Sequence, residues 1–293
     1  MSGKNDSRSP AVKRALEADW LGLCRRVVVA QRELFDRERG IAARTVYEGV
    51  GEGGDRALAI DRRSEDIVFE ELERLAAQGA EFTAVSEERG EAAFGDGASE
   101  VRVVVDPIDG SLNARRTIPS HSLCLAVASG PAMGEVELGY VYDFGAREEF
   151  FARRGAGARL NGIELRAEGP GYGLEIVGIE SAKPERILPL VEALAGRAYR
   201  IRALGSIALS LCYVAAGRFD AMLTARACRS VDAAAAQLVA REAGAAVAVS
   251  EPGLELASLR LDARYHVAAA LDDEMLATVL AVQQRAEPAG AHP

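Results

Sequence analysis

The chain has 293 residues, with 44 acidic against 35 basic side chains and a formal net charge of −9. That balance argues against nucleic acid or an anionic membrane as partner, since both select basic patches, but not against a small anionic substrate held by local dipoles or metal ions. Hydrophobic residues make up 49%, enough for one large α/β domain or two closely packed halves, and no apolar run approaches the roughly 18 residues of a membrane span.

Residues 1–14 are polar and basic without an apolar core, so no signal peptide is expected. Residues 10–39 read as one amphipathic helix, with Leu16, Trp20, Leu23, Val27, Ala30 and Leu34 recurring at spacings of three and four and Gly40 as its stop. Residues 48–56 hold four glycines and read as a loop. Residues 61–78 return to helical spacing through Ile67, Val68, Leu72 and Leu75. Strand patterns follow at 81–86, 101–105, 122–129 and 136–143, then a hairpin over 147–165 with turn residues Gly155-Ala156-Gly157 and Asn161-Gly162. Glu168-Gly169-Pro170-Gly171 is the candidate boundary between an N-terminal half (1–168) and a C-terminal half (169–286), with 287–293 as a tail. The second half alternates strand 174–181, helix 185–195, strand 199–203, helix 206–217, strand 219–223, helix 232–243, strands 245–249 and 266–270, and helix 272–285. Cys24, Cys124, Cys212 and Cys228 lie widely spaced in or beside apolar runs, as buried reduced thiols of a cytoplasmic protein do.

The most informative run is Val103-Val104-Val105-Asp106-Pro107-Ile108-Asp109-Gly110-Ser111-Leu112-Asn113. An apolar strand ends in two carboxylates three residues apart, followed by a glycine and a hydroxyl. Strand ends are where α/β folds place ligands. Two carboxylates that close repel each other unless a cation lies between them, and hard oxygen donors suit Mg²⁺. The backbone after Asp109 can turn N–H groups towards an anion. A surface Asx turn is the plain alternative for this run alone.

With Ser86-Glu87-Glu88 upstream, Ser230-Val231-Asp232-Ala233-Ala234 downstream and Glu242-Ala243-Gly244-Ala245 after that, the run resembles the inositol monophosphatase family, whose pattern is G-E-E, D-P-I-D-G-T-x-N, W-D-x-A-A and E-A-G-G. The resemblance extends from about residue 50 to about residue 285. Asn113-Ala114, Ile118-Pro119-Ser120-His121-Ser122 and Gly49-Val50-Gly51 ahead of Ile60-Asp61 are closer to the archaeal-type inositol monophosphatase and fructose-1,6-bisphosphatase branch.

The resemblance implies an α/β (α+β) layered αβαβα sandwich of the sugar-phosphatase type and a homodimer; residues 160–179 offer an apolar, glycine-spaced edge for it, and the cysteine pattern points to the cytoplasm. It implies a Mg²⁺-dependent phosphomonoester hydrolase with two or three ions held by Glu87, Asp106, the Ile108 carbonyl, Asp109 and Asp232. Glu87, Asp61 and Ser111 would be catalytic; Asp109, Gly110, Ser111, Arg202, Gly205, Ser206 and Arg226 would meet the substrate. Taken singly, Glu87-Glu88 would be a helix-start pair, Asp61 and Asp232 helix N-caps, and each arginine a solvated charge.

Several positions depart from the family pattern. Ser111 replaces the usual Thr, and Val231 the Trp. No acid stands near Ala225, where many members hold an inositol hydroxyl, while Arg226 and Arg229 lie close by and could meet a second phosphate. The loop Gly51-Glu52-Gly53-Gly54-Asp55-Arg56-Ala57-Leu58-Ala59 keeps acids but lacks the branch's Lys. The substrate expectation is therefore inositol monophosphate together with fructose 1,6-bisphosphate. NADP, a nucleotide 3′-phosphate or a specialised-metabolite phosphate stands as the alternative, and a non-catalytic binding or regulatory role as a second.

Overall fold

The computed structural model describes residues 10–50, 56–95, 99–181 and 183–286. In chain order the elements are α1 (Pro10–Glu17), α2 (Trp20–Arg37), β1 (Tyr47–Val50), β2 (Arg56–Leu58), α3 (Ala59–Ala77), β3 (Phe82–Ser86), β4 (Gly90–Phe94), β5 (Arg102–Asp109), α4 (Ser111–Arg115), β6 (Ser122–Ala128), β7 (Val136–Asp143), β8 (Glu148–Arg153), β9 (Ala158–Leu160), β10 (Ile163–Leu165), β11 (Leu174–Glu180), α5 (Pro184–Leu194), β12 (Ala198–Arg202), α6 (Ile207–Ala215), β13 (Ala221–Thr224), β14 (Cys228–Arg229), α7 (Ser230–Glu242), β15 (Ala246–Val249), β16 (Arg264–Tyr265), β17 (Val267–Ala270) and α8 (Asp273–Ala286).

Two sheets organise the molecule. The larger has eight strands in the order β10-β9-β8-β7-β6-β5-β3-β4, the smaller five in the order β12-β11-β13-β17-β15. Alternation along the central strands sends side chains both ways. Val103, Val105, Leu123, Leu125 and Val127 pack against Trp20, Leu23, Val27, Val68 and Leu72 of α2 and α3. Val104, Cys124, Ala126 and Ala128 pack the other way, against Leu209, Leu211, Val231 and Leu238 of α6 and α7. Met222, Val267 and Ala269 of the second sheet join that same buried cluster. The far face of the second sheet packs Val177, Leu223 and Ala268 against Leu190, Leu194, Val279 and Val282 of α5 and α8. The layers are helix, sheet, helix, sheet, helix, the expected αβαβα sandwich. The middle helices belong to both halves' cores, so residues 1–168 and 169–286 share one apolar interior.

The alanine-rich α7 lies this close to the sheet because small side chains permit it. A Cβ at Gly139 of β7 would sit 2.4 Å from the Ala235 carbonyl oxygen.

The expected single helix over 10–39 is two helices. Asp19 interrupts it, its carboxylate accepting from Gly22 N at 2.9 Å, as an N-cap side chain does. The apolar periodicity runs through the break, which hides it. The expected loop at 48–56 begins as a strand, because β1 pairs antiparallel with β2; residues 51–55 and the tails at 1–9 and 287–293 lie outside the described residues. The edge strand β4 carries a weak apolar signal and has no counterpart among the expected elements. All four cysteines are free and buried, and no described helix is long and apolar enough to cross a membrane.

Candidate active site

The two carboxylates of the informative run depend on a bulge. Asp106 lies opposite Cys124 of β6, and Asp109 opposite Ser122, so a three-residue advance on β5 meets a two-residue advance on β6. Residues three apart on a regular strand face opposite sides. The extra residue turns Asp109 back towards the side of Asp106. It also accommodates Pro107, which a central strand otherwise rejects. Gln31 of α2 holds the bulge from behind, Nε2 donating to the Pro107 carbonyl at 3.0 Å. Asp106 Oδ1 accepts from Ile108 N at 2.9 Å.

Gly110 then takes φ +89°, and a Cβ there would meet the Gly205 and Ser120 carbonyl oxygens at 3.0 Å. Both the left-handed conformation and the close approach require glycine. The short α4 beyond it, with Ser111 at its first position, is pinned on two sides. Asn113 Nδ2 donates to the Ser120 and Leu204 carbonyls at 2.7 and 2.6 Å. Buried Arg44 donates to the Ala114 carbonyl at 2.8 Å and to that of Phe35 at 2.9 Å.

Asp109 joins the two halves. Its Oδ2 accepts from Ser206 Oγ at 2.5 Å and from Ala208 N at 2.8 Å, at the start of α6. Ser206 is the cap of that helix, accepting from Leu209 N at 3.1 Å. The expected substrate residue Ser206 is therefore buried and committed to Asp109 and its own helix. Gly205 donates its N–H to Glu180 Oε2 at 2.8 Å.

Glu180 is a residue the sequence reading passed over. It is buried at the end of β11 and also accepts from Leu204 N and Ser210 Oγ, at 2.9 and 2.6 Å. Its signal was a lone carboxylate at the end of an apolar strand.

Asp61, Glu87, Glu88, Asp106, Pro107, Ile108 and Ser111 line one cavity of about 120 Å³. Neither Cys nor His is among the lining residues. Asp61 and Asp232 each occupy the third position of a helix, α3 and α7; the N-caps are Leu58 and Arg229, which corrects the N-cap reading of both. Asp232 Oδ2 reaches back to accept from Arg229 N at 2.8 Å. Arg202 and Arg226 are exposed and lie outside the cavity lining.

The electrostatics run one way. Burial, then the charges of Glu87, Asp109 and Asp232, raises the Asp106 carboxyl well above the ordinary range. Burial and Asp109 push Asp232 up to about 7. Burial raises Asp109 to about 6, against the hydrogen bonds from Ser206 and Ala208. Burial and Glu87 lift both Asp61 and Glu88 to about 7. Asp61 Oδ1 and Glu88 Oε2 are buried and find no hydrogen-bond partner among the described residues.

These are hard oxygen donors in an environment of excess negative charge, the chemistry that fits Mg²⁺. Among the described residues, however, no three carboxylates, imidazoles or thiolates converge closely enough to enclose an ion. The reason is local. Glu87 Oε1 is taken by Arg229 Nη1, and Asp109 Oδ2 by Ser206 and Ala208.

The inositol monophosphatase family model matches residues 23–286. The fructose-1,6-bisphosphatase/inositol-1-monophosphatase of Methanocaldococcus jannaschii is 33% identical over 234 residues, 79% of this chain and 86% of that protein. The Nus factor SuhB of Pasteurella multocida is 33% identical over 199 residues, 66% of this chain and 71% of that one. A crystal structure described as an inositol monophosphatase-fructose 1,6 bisphosphatase superposes with a TM-score of 0.76 at 28% identity, covering 90% of this chain and 99% of that one. The extragenic suppressor protein suhB of Bartonella henselae superposes at 0.73 with 26% identity, covering 89% and 97%. A family match over nearly the whole chain, together with a relative 33% identical over most of both chains, makes this chain a member of the inositol monophosphatase family and a hydrolase of phosphoric monoesters.

Proposed function

We propose that the protein is a Mg²⁺-dependent phosphatase that hydrolyses inositol monophosphate and also accepts a bisphosphorylated sugar such as fructose 1,6-bisphosphate. The observation that carries the metal reading is the set of mutually repelling carboxylates around buried Asp106, two of which, Asp61 and Glu88, line the same cavity and each leave one oxygen without a partner. Glu87, Asp106, the Ile108 carbonyl, Asp109 and Asp232 would hold two or three ions. When bound, Mg²⁺ supplies Lewis-acid charge that neutralises the phosphate and acidifies water.

The chain's own groups do the positioning. Ser111 Oγ accepts a hydrogen bond from the attacking water and donates its own proton towards Asp61. Glu87 takes the water's proton. The N–H groups that follow Asp109 face the phosphate oxygens. Attack is in line with the leaving alkoxide, and no phosphoenzyme forms. Excess EDTA should abolish phosphate release from inositol 1-phosphate, and added Mg²⁺ should restore it. Full turnover in EDTA would end the metal reading.

Substrate breadth rests on the pocket's departures. A site built to hydrogen-bond particular hydroxyls rejects analogues because its polar groups are then left unpaired. Ala225 cannot hold an inositol hydroxyl, and exposed Arg226 follows it. Arg226→Ala should lower kcat/KM for fructose 1,6-bisphosphate about tenfold while changing that for inositol 1-phosphate less than threefold, the scale of one charge-assisted contact. Equal losses on both would remove Arg226 from the substrate site.

The protein is further proposed to be a homodimer through residues 160–179, where Ile163 and Tyr172 are 74% and 83% exposed. Light scattering at micromolar concentration should give twice the chain mass of 31.1 kDa; a monomer mass would refute it.

A further inference from the structure

A positive side chain from the second half of the chain meets one of the site's carboxylates. Arg229 stands at the N-cap of α7, where its backbone N–H donates to Asp232 Oδ2 at 2.8 Å. Its guanidinium crosses to the other half of the molecule, where Nη1 meets Glu87 Oε1 at 2.5 Å, 142 residues away in sequence. The pair is largely shielded from water, with side-chain exposures of 13% for Arg229 and 23% for Glu87. The same residue thus touches one carboxylate through its backbone and another through its side chain, both of them assigned to the metal.

We infer that Arg229 is a built-in competitor for the metal. Its guanidinium holds the Glu87 carboxylate and must release it for that carboxylate to ligate a divalent cation, so this side chain sets the affinity of the Glu87 metal position. The inference rests on the metal reading above. A guanidinium is a fixed charge that cannot leave by deprotonation. It satisfies Glu87 with one positive charge where an ion would supply two. A divalent cation at Glu87 would displace the guanidinium from that carboxylate and would repel it. Exchange therefore costs a charge-assisted hydrogen bond, and the metal's apparent affinity is reduced by that amount.

The sign is the same for both electrostatic consequences of removing the guanidinium. Glu87 becomes free, and a like charge beside the incoming cation disappears. Arg229→Gln should therefore bind Mn²⁺, used as the spectroscopic probe, about tenfold more tightly than wild type, equivalent to about 1.4 kcal/mol. Free Mn²⁺ would be followed by electron paramagnetic resonance at pH 8, without substrate. Arg229→Lys keeps the charge on a point donor with different reach, and should tighten binding two- to threefold. Glu87→Gln should weaken binding, and adding Arg229→Gln to it should tighten affinity less than threefold, because the held carboxylate is already gone and only the repulsion between guanidinium and cation is left to relieve. The Asp232 contact uses the backbone N–H and survives either replacement, so circular dichroism should match wild type. Weaker binding in Arg229→Gln would show that Arg229 supports the metal site, and unchanged binding in both Arg229 variants would show that it has no influence; either overturns the inference while leaving the metal reading intact. Absence of Mn²⁺ binding in wild type and variants alike would overturn the metal reading, and this inference with it.

Discussion

Asp109→Asn should lower kcat/KM by at least about a thousandfold, roughly 4 kcal/mol of transition-state stabilisation, and should remove most of the affinity for Mg²⁺. The fold should survive. Asn keeps a side-chain oxygen that can accept from Ser206 Oγ and Ala208 N, the two donors that now serve Asp109 Oδ2, and Asn and Asp serve helix starts about equally well. What Asn cannot supply is the charge. In the absence of metal that charge is a burden, since it raises both Asp106 and Asp232. The metal-free variant should therefore melt at or above the wild-type temperature, while wild type alone should gain stability from Mg²⁺. The raised carboxyls give this a pH arm. Between the ordinary carboxylate range and about 7, folded protein holds protons on Asp61 and Asp232 that the unfolded chain has released. Stability of the metal-free protein should thus be highest at low pH within this range and fall as pH rises through 7. A thermal melt series at pH 5 and pH 8, with and without Mg²⁺, reads all of this; a large drop in melting temperature for metal-free Asp109→Asn would mean that its role is structural.

Ser111→Ala should lower kcat by about 10- to 1000-fold, the span of positioning and proton-transfer contributions, with Mg²⁺ affinity and KM little changed. The hydroxyl shares a cavity with Asp61, Glu87 and Glu88. The segment that presents it is held by other groups: Gly110 by its packing, Asn113 by two carbonyls and the far end of α4 by Arg44. Removing one oxygen therefore leaves the backbone in place, and the loss falls on the chemistry. Ser111→Thr restores the methyl that stiffens χ1 and should match or exceed the wild-type kcat. Wild-type kcat in Ser111→Ala would remove the hydroxyl from the mechanism.

Local pattern in the chain is enough to place most of the elements and to recognise the family. Continuous apolar runs with small residues mark strands and helices buried on both faces, and nearly every strand and helix of the second half lies where its pattern places it, because local periodicity reflects which faces are covered. Three ordered motifs, around Glu87, Asp106 to Asn113, and Asp232, were sufficient to identify the family. How the residues meet depends on the packing of segments distant in the chain. The helix break at Asp19 is invisible to periodicity, since the apolar spacing continues across it. The bulge that brings Asp106 and Asp109 to one side depends on pairing with β6, a partner strand no local pattern names. Asp109 reaches Ser206 and Ala208 across 97 and 99 residues, Glu180 gathers the N–H groups of Leu204 and Gly205, and Arg229 reaches Glu87. Each of these is a long-range contact between polar groups, and polar groups leave no periodic trace of where their partners lie. Spacing reports burial; pairing is decided only when the layers close.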